Sequence, residues 1–171
     1  MDKYVLLARK TIETYLRTGR ILSPEAADIP EGADTVRAGA FVSLHRHGAL
    51  RGCIGTIAPV RASLAEEIVR NAIAAATEDP RFRPLTEREL EDLEIGVDVL
   101  GEAEDISSPA ELDVKRYGVI VTKGRRRGLL LPDLDGVDTV EDQVSIACRK
   151  AGLSPDEPGI RLQRFEVVRH E

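Results

Sequence analysis

The sequence predicts an α+β protein in which a β-hairpin, a helix and a further strand occur twice. Apolar residues follow helical spacing in three segments, and short β-prone runs with glycine-containing turns precede the second and third of these segments. The two halves show the same order of elements, although they share negligible sequence identity. Antiparallel hairpins with helices packed on them define the α+β class, here as two β-β-α-β units in antiparallel or mixed sheets with an added N-terminal helix.

The first half contains an opening helix, an irregular connection and the first of these units. Gly19 suits the left-handed position that ends a helix, and the turn His47-Gly48 between two β-prone runs indicates a hairpin. Thr86-Glu87-Arg88-Glu89 has the form of a capping box, which begins a helix. In chain order we predict a helix at 3–18, an irregular segment at 23–37, strands at 40–46 and 50–57, a helix at 59–77, a short helix from Thr86 and a strand through Ile95, Val97 and Val99.

The second half repeats the unit. Gly124-Arg125-Arg126-Arg127 is predicted to be the tip of its hairpin, and Asp138 with Glu141 is predicted to cap a helix that Gly152 ends. The predicted elements are strands at 117–123 and 128–131, a helix at 139–151 and a strand at 161–168. The chain therefore forms a single domain, or two lobes at about 1–105 and 106–171.

Composition excludes disordered and fibrous proteins and argues against nucleic-acid and metal sites. With 171 residues, 42% of them hydrophobic and 32% charged, the chain has the balance of a folded globular protein. Its net charge of −6 argues against nucleic-acid binding, because no general basic field exists to release counterions. Three histidines and dispersed carboxylates do not form a recognisable set of metal ligands, and no cofactor is predicted.

The same composition predicts a cytoplasmic protein. The apolar run near the start is too short for a signal peptide, and no segment reaches the ~20 apolar residues of a membrane span. Two cysteines that do not form a CxxC pair fit a reducing compartment.

The segment Leu50-Arg51-Gly52-Cys53-Ile54-Gly55 carries the most chemical information. A thiol lies near a guanidinium and between two glycines, so Arg51 would favour the thiolate and a ligand could approach the backbone closely. Cys53 is therefore the candidate catalytic residue. The alternative is a small buried cysteine in a strand, with Arg51 paired to a carboxylate elsewhere.

The register of the predicted hairpin decides whether a histidine can assist this thiol. With a two-residue turn at His47-Gly48, Leu44 pairs with Arg51 and Val42 with Cys53, which places His45 on the opposite face from Cys53. A three-residue loop would bring His45 to the thiol's face. Because hairpin statistics favour the two-residue turn, His45 is not expected to act as a general base.

The glycines of the motif also suggest a site for a small anion. Gly52, Gly55 and Thr56 lead towards a helix whose N-terminus could attract an anion, with Arg51 and Arg61 close in sequence. The spacing is neither a P-loop nor a dinucleotide fingerprint, so the predicted ligand is a carboxylate or a phosphate. The alternative is that these glycines serve only the tight packing of the hairpin.

The segment Asp79-Pro80-Arg81-Phe82 follows the main helix of the first half. Phe82 is expected to fill the core, and Arg81 to bridge to Asp79 or to the motif strand. Arg81 is added to the candidate ligand-binding residues. Elsewhere we expect Cys148 to be packed in the core, and His47, His170 and the basic hairpin tip to be exposed to solvent. The alternative for the basic tip is a contact with nucleic acid or an acidic partner.

Five blocks of sequence resemble one known family. They are Gly39-Ala40-Phe41-Val42-Ser43-Leu44, Leu50 to Thr56, Asp79-Pro80-Arg81-Phe82-Arg83-Pro84, Gly128-Leu129-Leu130-Leu131-Pro132 and Lys150-Ala151-Gly152-Leu153. In this order they closely resemble the AMMECR domain family, whose microbial members are called protein A of the AmmeMemoRadiSam system. The resemblance implies two β-β-α-β units with an added N-terminal helix. One departure is that the tryptophan often found before the late helix is absent.

The resemblance implies no established reaction, so whether the chain is an enzyme stays open. It implies two partners, a radical SAM protein and a Memo-type protein. Three interpretations of the Leu-Arg-Gly-Cys-Ile-Gly motif follow: a ligand-processing site in which Arg51 holds an anion and Cys53 acts on it or senses it, a docking surface for those partners, or a purely architectural element.

Overall fold

The computed structural model describes residues 1–26 and 28–171 and divides the chain into two compact units. The first unit contains residues 1–100 and 168–171, and the second contains residues 101–167. The α+β class is confirmed, since helices accompany two antiparallel four-stranded sheets. The boundary between the units lies between Leu100 and Gly101, and the last four residues of the chain belong to the first unit. No helix in the described ranges has the length and apolar character needed to cross a membrane.

The helices and strands follow the predicted order, with two short strands added. They are α1 (Lys3–Thr18), β1 (Ala40–Arg46), β2 (Ala49–Gly55), α2 (Leu64–Thr77), β3 (Leu93–Leu100), β4 (Glu104–Ile106), β5 (Gly118–Lys123), β6 (Arg126–Leu130), α3 (Val140–Ala151), β7 (Arg161–Phe165) and β8 (Val167–His170). Short 3₁₀-helices lie at Pro24–Ala26, Glu87–Asp92 and Pro109–Glu111. One sheet has the strand order β2-β1-β3-β8 and the other β4-β7-β5-β6. Ala27, in the segment predicted to be irregular, lies outside the described residues.

Helix α1 has the predicted bounds because its end signals lie in the sequence. The Asp2 carboxylate accepts hydrogen bonds from the backbone N–H groups of Tyr4 and Val5, and Gly19 ends the helix with a φ of 72°. His170, predicted to be exposed, instead has a side chain only 16% exposed, and its Nδ1 lies 2.7 Å from an Asp2 carboxylate oxygen. Its ring also stacks on Tyr4. The prediction was wrong because β8, which carries His170, was not foreseen as a paired strand.

The core of the first unit lies between α2 and one face of the sheet. Val42 and Leu44 of β1 are fully buried, as are Ile68 and Ala72 of α2. Burying a Val, Leu or Ile side chain stabilises the fold by about 1.5–3 kcal/mol. Gly52 lies directly below the helix, where an added Cβ would collide with the backbone carbonyl oxygen of Ala75. Only glycine permits this close approach.

The β1–β2 hairpin has the predicted two-residue turn but not the predicted register. Beyond the turn a β-bulge shifts the pairing by one residue, so that Leu44 faces Gly52 and Ser43 faces Cys53. Arg51 is the extra residue of the bulge and has no partner on β1. The predicted pairs Leu44 with Arg51 and Val42 with Cys53 are therefore wrong.

The second unit departs from the prediction at its hairpin tip and its helix cap. The turn is only Gly124-Arg125, so the next two arginines belong to β6. Thr139, not Asp138, caps α3, because its side chain accepts a hydrogen bond from the Asp142 backbone N–H. Cys148 is fully buried, as predicted.

Candidate functional site

A cleft of about 640 Å³ opens in the first unit next to the motif strand. A volume of this size is within the ~300–1,000 Å³ range of small-molecule sites. Four of its lining residues are arginines and one is a glutamate, so positive charge dominates the walls. The lining residues are Arg46, Arg51, Arg81, Phe82, Arg83, Pro84, Thr86 and Glu89.

Arg51 is held in this cleft by a carboxylate. Its Nε donates to Glu89 Oε2 at 2.8 Å and its Nη2 to Glu89 Oε1 at 3.1 Å, and both side chains are about 85% buried, with exposed fractions of 16% and 15%. These hydrogen bonds outweigh the effect of burial and lower the pKa of Glu89 to about 2. The bulge turns Arg51 out of the strand pairing, and Glu89 fixes where its guanidinium lies.

Glu89 connects the predicted capping box to the cleft. Its Oε1 accepts hydrogen bonds at 3.1 Å from both the backbone N–H and the hydroxyl of Thr86. Its Oε2 also accepts from Arg46 Nη1 at 3.0 Å, and Arg46 makes two further hydrogen bonds to Asp92. One carboxylate therefore caps a 3₁₀-helix and holds two arginines side by side.

Asp79 joins the motif strand to a third arginine. Its side chain is only 2% exposed, and it accepts hydrogen bonds from Arg81 Nε at 3.0 Å and Arg81 Nη2 at 2.7 Å. It also accepts from the backbone N–H of Cys53 at 3.0 Å. The hydrogen bonds from Arg81 hold the pKa of Asp79 far below its usual range. Arg81 therefore makes the bridge to Asp79 that the sequence suggested.

Phe82 forms a wall of the cleft instead of filling the core, which corrects the prediction. The residue is only partly buried, and the guanidinium carbons of Arg51 and Arg81 lie 5.9 Å and 5.4 Å from its ring centre. Cation–π contacts of this kind contribute about 0.5–1 kcal/mol at exposed sites. The segment from Pro80 to Pro84 contains no helix or strand.

Cys53 is partly exposed and lies outside the lining of the cleft. Its sulfur is 3.4 Å from Ser43 Oγ on the neighbouring strand. Because Ser43 faces Cys53, His45 shares their side of the sheet, so the prediction that it lies on the opposite face is wrong. The His45 imidazole nevertheless makes no hydrogen bond or ion pair with the described residues, so no Cys-His dyad forms.

The electrostatic neighbour of Cys53 is Arg81. The pKa of Arg81 is raised mainly by its hydrogen bonds to Asp79, and the charge of a Cys53 thiolate acts in the same direction. Attraction between a guanidinium and a thiolate is mutual, so Arg81 favours the ionised form of the thiol. Arg81 thus faces both the cleft and the cysteine.

Three other predicted ligand-binding residues do not reach the cleft. Gly52 packs below α2, and a Cβ on Gly55 would collide with the Phe41 ring. Thr56 Oγ1 donates to Glu67 at 2.7 Å. The positions of Gly52 and Gly55 match the alternative that these glycines serve tight packing.

Helix α2 begins at Leu64 rather than at residue 59, and its first N–H groups, predicted to attract an anion, already have partners. Leu64 and Ala65 donate to backbone carbonyl oxygens, and Glu66 donates to the Ser63 hydroxyl oxygen. The loop before the helix is satisfied by a carboxylate of the protein itself. Glu67, 1% exposed, accepts hydrogen bonds at 2.9 Å from the backbone N–H groups of Val60 and Arg61. It also binds the Thr56 hydroxyl. The arginine cleft, and not the N-terminus of α2, therefore offers unused donors for an anion.

Sequence reasoning found Arg51 and Arg81 but missed Arg46, Arg83 and Glu89. The capping box and the Asp79–Pro84 block were each visible as local signals. Only the tertiary fold brings the two segments to the same cleft. Neither local signal could therefore predict that the other lies next to it. Among the described residues, His, Cys, Asp and Glu side chains form no group of three or more suited to a metal ion.

A family model named AMMECR1 matches residues 5–170, nearly the whole chain. The chain belongs to the AMMECR1 family. This confirms the resemblance drawn from the five sequence blocks.

The chain is also similar to proteins from two organisms and to one solved structure. A protein of Thermotoga maritima is 51% identical over 169 residues, a match that covers 98% of this chain and 97% of the relative. Protein CA_C1420 of Clostridium acetobutylicum is 48% identical over 99% of this chain, but the match covers only 36% of that longer protein. The crystal structure of uncharacterized protein PH0010 from Pyrococcus horikoshii is 37% identical, with a TM-score of 0.89, and the match covers 97% of this chain and 88% of the other. The fold is therefore shared with an experimental structure in the family.

Proposed function

We propose that this AMMECR1-family chain binds a small organic anion in the arginine cleft. The observation that carries the proposal is that four arginines, from β1, β2 and the segment after α2, line one cleft that contains a single carboxylate. Arginine presents a planar fork of N–H donors that matches carboxylate and phosphate oxygens. A cluster of such forks is costly to keep together without counter-charges, and the available carboxylates leave one arginine unmatched.

Arg83 is the unmatched arginine. Arg46 and Arg51 pair with Glu89 and Asp92, and Arg81 pairs with Asp79. Arg83 is exposed and makes no hydrogen bond or ion pair with any described residue. Its guanidinium is therefore ready to bind an external anion, and the paired arginines supply a rigid, positive surround.

Cys53 is the group that we propose acts on or senses the bound anion. Two contacts support this role, because Arg81 lies in the cleft and near the thiol, and Asp79 holds both Arg81 and the Cys53 backbone. A movement of Arg81 would therefore change the electrostatic environment of the Cys53 thiol. The proposal covers binding and communication, and it is compatible with a chain that is or is not itself an enzyme.

Arg83→Gln tests the binding site, with Arg88→Gln as a matched control. Arg88 is also exposed, but it lies outside the cleft lining. We expect inorganic phosphate or benzoate, added at constant ionic strength, to cause saturable NMR shifts in the backbone amides of residues 81–83, 85 and 86. These shifts should disappear in Arg83→Gln and persist in Arg88→Gln. Absence of saturable shifts in the wild-type protein with every anion would overturn the proposal.

A second candidate function is an accessory or interaction module that works beside radical SAM and Memo-type proteins. One observation favours it: in the Clostridium relative the matching region is 36% of a longer chain, so a domain of this family occurs joined to other sequence. A cytoplasmic location belongs to this proposal, and it fits two cysteines that are not joined in a disulfide.

Pull-down of purified radical SAM and Memo-type proteins encoded in the same genome separates the two candidates. A docking role predicts that Arg51→Ala weakens capture and that Cys53→Ser does not. If neither protein is captured by the wild-type chain, the docking role is excluded. Thermal unfolding of each variant shows whether a loss of capture reflects a loss of fold.

A further inference from the structure

We infer that the anion held in the arginine cleft is a phosphomonoester that carries an apolar group. The inference rests on the proposed anion-binding function and narrows its ligand class. Two features lie in the same cleft: guanidinium N–H groups left free on three separate arginines, and an apolar wall formed by Phe82 and Pro84. The free N–H groups favour a terminal phosphate, and the apolar wall favours an apolar group attached to that phosphate.

The free donors belong to three different side chains that line the cleft. Arg81 uses Nε and Nη2 to bind Asp79, and Arg51 uses Nε and Nη2 to bind Glu89 and the Pro84 carbonyl oxygen. The Nη1 groups of both side chains donate no hydrogen bond to the described residues. Arg83 adds all five of its N–H donors. Three arginines can therefore contribute to one ligand without breaking a hydrogen bond that the structure already contains.

This number of donors suits a phosphomonoester better than a carboxylate. A carboxylate has two oxygens, and the fork of one arginine satisfies both of them. A terminal phosphate has three free oxygens, one for each of the three arginines. A phosphodiester has only two free oxygens and one negative charge, so the backbone of a nucleic acid matches the cleft less well.

Charge also favours a doubly charged ligand. Arg46, Arg51 and Arg81 are balanced by Glu89, Asp92 and Asp79, whereas Arg83 has no carboxylate partner. The excess positive charge attracts a dianion about twice as strongly as a monoanion at the same distance. Since existing ion pairs hold three of the four arginines in place, little side-chain ordering is needed on binding.

The apolar wall indicates that the ligand is more than free phosphate. Phe82 is partly exposed in the cleft, and Pro84 lies two residues further on. Apolar surface buried against them contributes about 25 cal/mol per Å². The cleft volume of about 640 Å³ gives room for a ring or chain attached to the phosphate.

Four small probes test the ligand class by calorimetric titration of the whole protein. Phenyl phosphate and methyl phosphate are monoesters with different apolar groups, dimethyl phosphate is a monoanion with two free oxygens, and benzoate is an aromatic carboxylate. At pH 8 the monoesters are dianions, because their second pKa is about 6. We expect phenyl phosphate to bind most tightly, and dimethyl phosphate and benzoate to bind at least about tenfold more weakly, which corresponds to about 1.4 kcal/mol.

Variants test which residue binds the phosphate and which residue contacts the apolar group. Arg83→Gln should weaken both monoesters by about tenfold or more, and Arg83→Lys should recover only part of that affinity because lysine lacks the fork. Phe82→Leu should reduce the advantage of phenyl phosphate over methyl phosphate without affecting methyl phosphate itself. Arg88→Gln should change neither affinity, and circular dichroism shows that each variant is folded.

The outcomes separate this inference from the proposed function. If benzoate or dimethyl phosphate binds as tightly as phenyl phosphate and Arg83→Gln abolishes that binding, the cleft is an anion site but the phosphomonoester inference is overturned. If methyl and phenyl phosphate bind equally, the apolar group is excluded. If no probe binds the wild-type protein, both the inference and the proposed function fail.

Discussion

The two units share a framework but differ in their chemistry. In each sheet the second strand of the hairpin is at the edge, followed by the first strand of the hairpin, the strand after the helix and a short fourth strand. In each hairpin an arginine precedes a glycine that lies below the helix. Gly52 lies below the Ala75 carbonyl, and Gly128 lies below the Ala147 carbonyl.

The helices repeat a second feature at equivalent positions. Asn71 lies four residues before Ala75, and its side chain donates to the Ala40 carbonyl oxygen at 2.9 Å. Gln143 lies four residues before Ala147 and donates to the Tyr117 carbonyl oxygen at 2.8 Å. A polar side chain one helical turn from the close approach thus ties the helix to the start of the hairpin in both units.

The difference is at the residues on either side of the shared glycine. Arg51 is an extra residue in a β-bulge, and its side chain is paired with Glu89. The β5–β6 register is continuous, and the exposed Arg127 side chain makes no hydrogen bond or ion pair with any described residue. Leu129 in β6 occupies the place that Cys53 has in β2. The comparison teaches that the glycine belongs to the framework, and that the buried arginine and the cysteine are additions made in one unit only.

Gly52→Ala and Gly128→Ala should cause the largest effects and test the shared framework. In both, the new Cβ collides with a helix backbone carbonyl, which cannot rotate away, so we expect each to lose about 3 kcal/mol or more of unfolding free energy. Gly96→Ala is the control, because its nearest neighbour would be 3.7 Å away. Urea denaturation gives the values. If one substitution leaves the free energy of unfolding unchanged and the other lowers it strongly, the two glycines do not have equivalent roles.

Acidification should destabilise the first unit through Glu89. Its folded pKa of about 2 lies below the unfolded value of 4.5, so the stabilisation is complete above about pH 4.5 and is lost as pH falls towards 2. The linked free energy is at most about 3 kcal/mol. Glu89→Gln should be less stable at pH 7 and should lose less stability on acidification. A wild-type slope unchanged by this substitution would show that Glu89 is not the responsible group.

The paired substitutions Arg51→Gln and Arg127→Gln should sharpen the difference between the two hairpins. Arg51→Gln leaves the Glu89 carboxylate with Arg46 as its one remaining arginine, and we expect a loss of about 1.5–3 kcal/mol. Arg127→Gln alters an exposed side chain and should change stability by less than about 0.5 kcal/mol. Equal effects in thermal or urea unfolding would contradict the distinction between a cleft arginine and a solvated one.

The reactivity of the thiols should show the smallest but most specific effect. Cys53 is partly exposed near Arg81, whereas Cys148 is fully buried and burial raises its pKa. In the folded protein near pH 7.5, iodoacetamide should modify Cys53 and spare Cys148. Arg81→Gln should slow the reaction of Cys53 by about threefold or more, because the charge that favours the thiolate is removed.

Mass spectrometry of tryptic peptides follows both cysteines in one experiment. Arg88→Gln is the control and should leave the rate of Cys53 modification unchanged. A Cys53 as inert as Cys148 would remove any chemical role from the thiol and leave its strand position as its only function.

The fold could be predicted where its signals are local. The Gly19 terminator, the His47-Gly48 turn and the capping box at Thr86 each act within a few residues, and each is present in the structure. Strands β4 and β8 were missed because they are short edge strands without a clear apolar alternation. The predicted last strand at 161–168 is in fact β7 and the beginning of β8, interrupted at Glu166.

The candidate site could be predicted only in part, because it depends on a register shift and on distant segments. A bulge at Arg51 costs pairing on β2 and is offset by two hydrogen bonds to Glu89, 38 residues away. No local pattern indicates such a contact. Arg51 and Arg81 could be identified from the sequence because each lies in an unusual block. Arg46 and Arg83 could be identified only from the fold, which brings them into the same cleft.

Under the proposed function, Glu89 would also link anion binding to the local opening of a helix. Because the same carboxylate caps the 3₁₀-helix Glu87–Asp92 and holds Arg46 and Arg51, the helix cannot fray without releasing both guanidiniums. An anion that binds only the closed form must then suppress that opening in proportion to its occupancy. The amide hydrogens of residues 89–92 would thus exchange with solvent more slowly as the cleft fills.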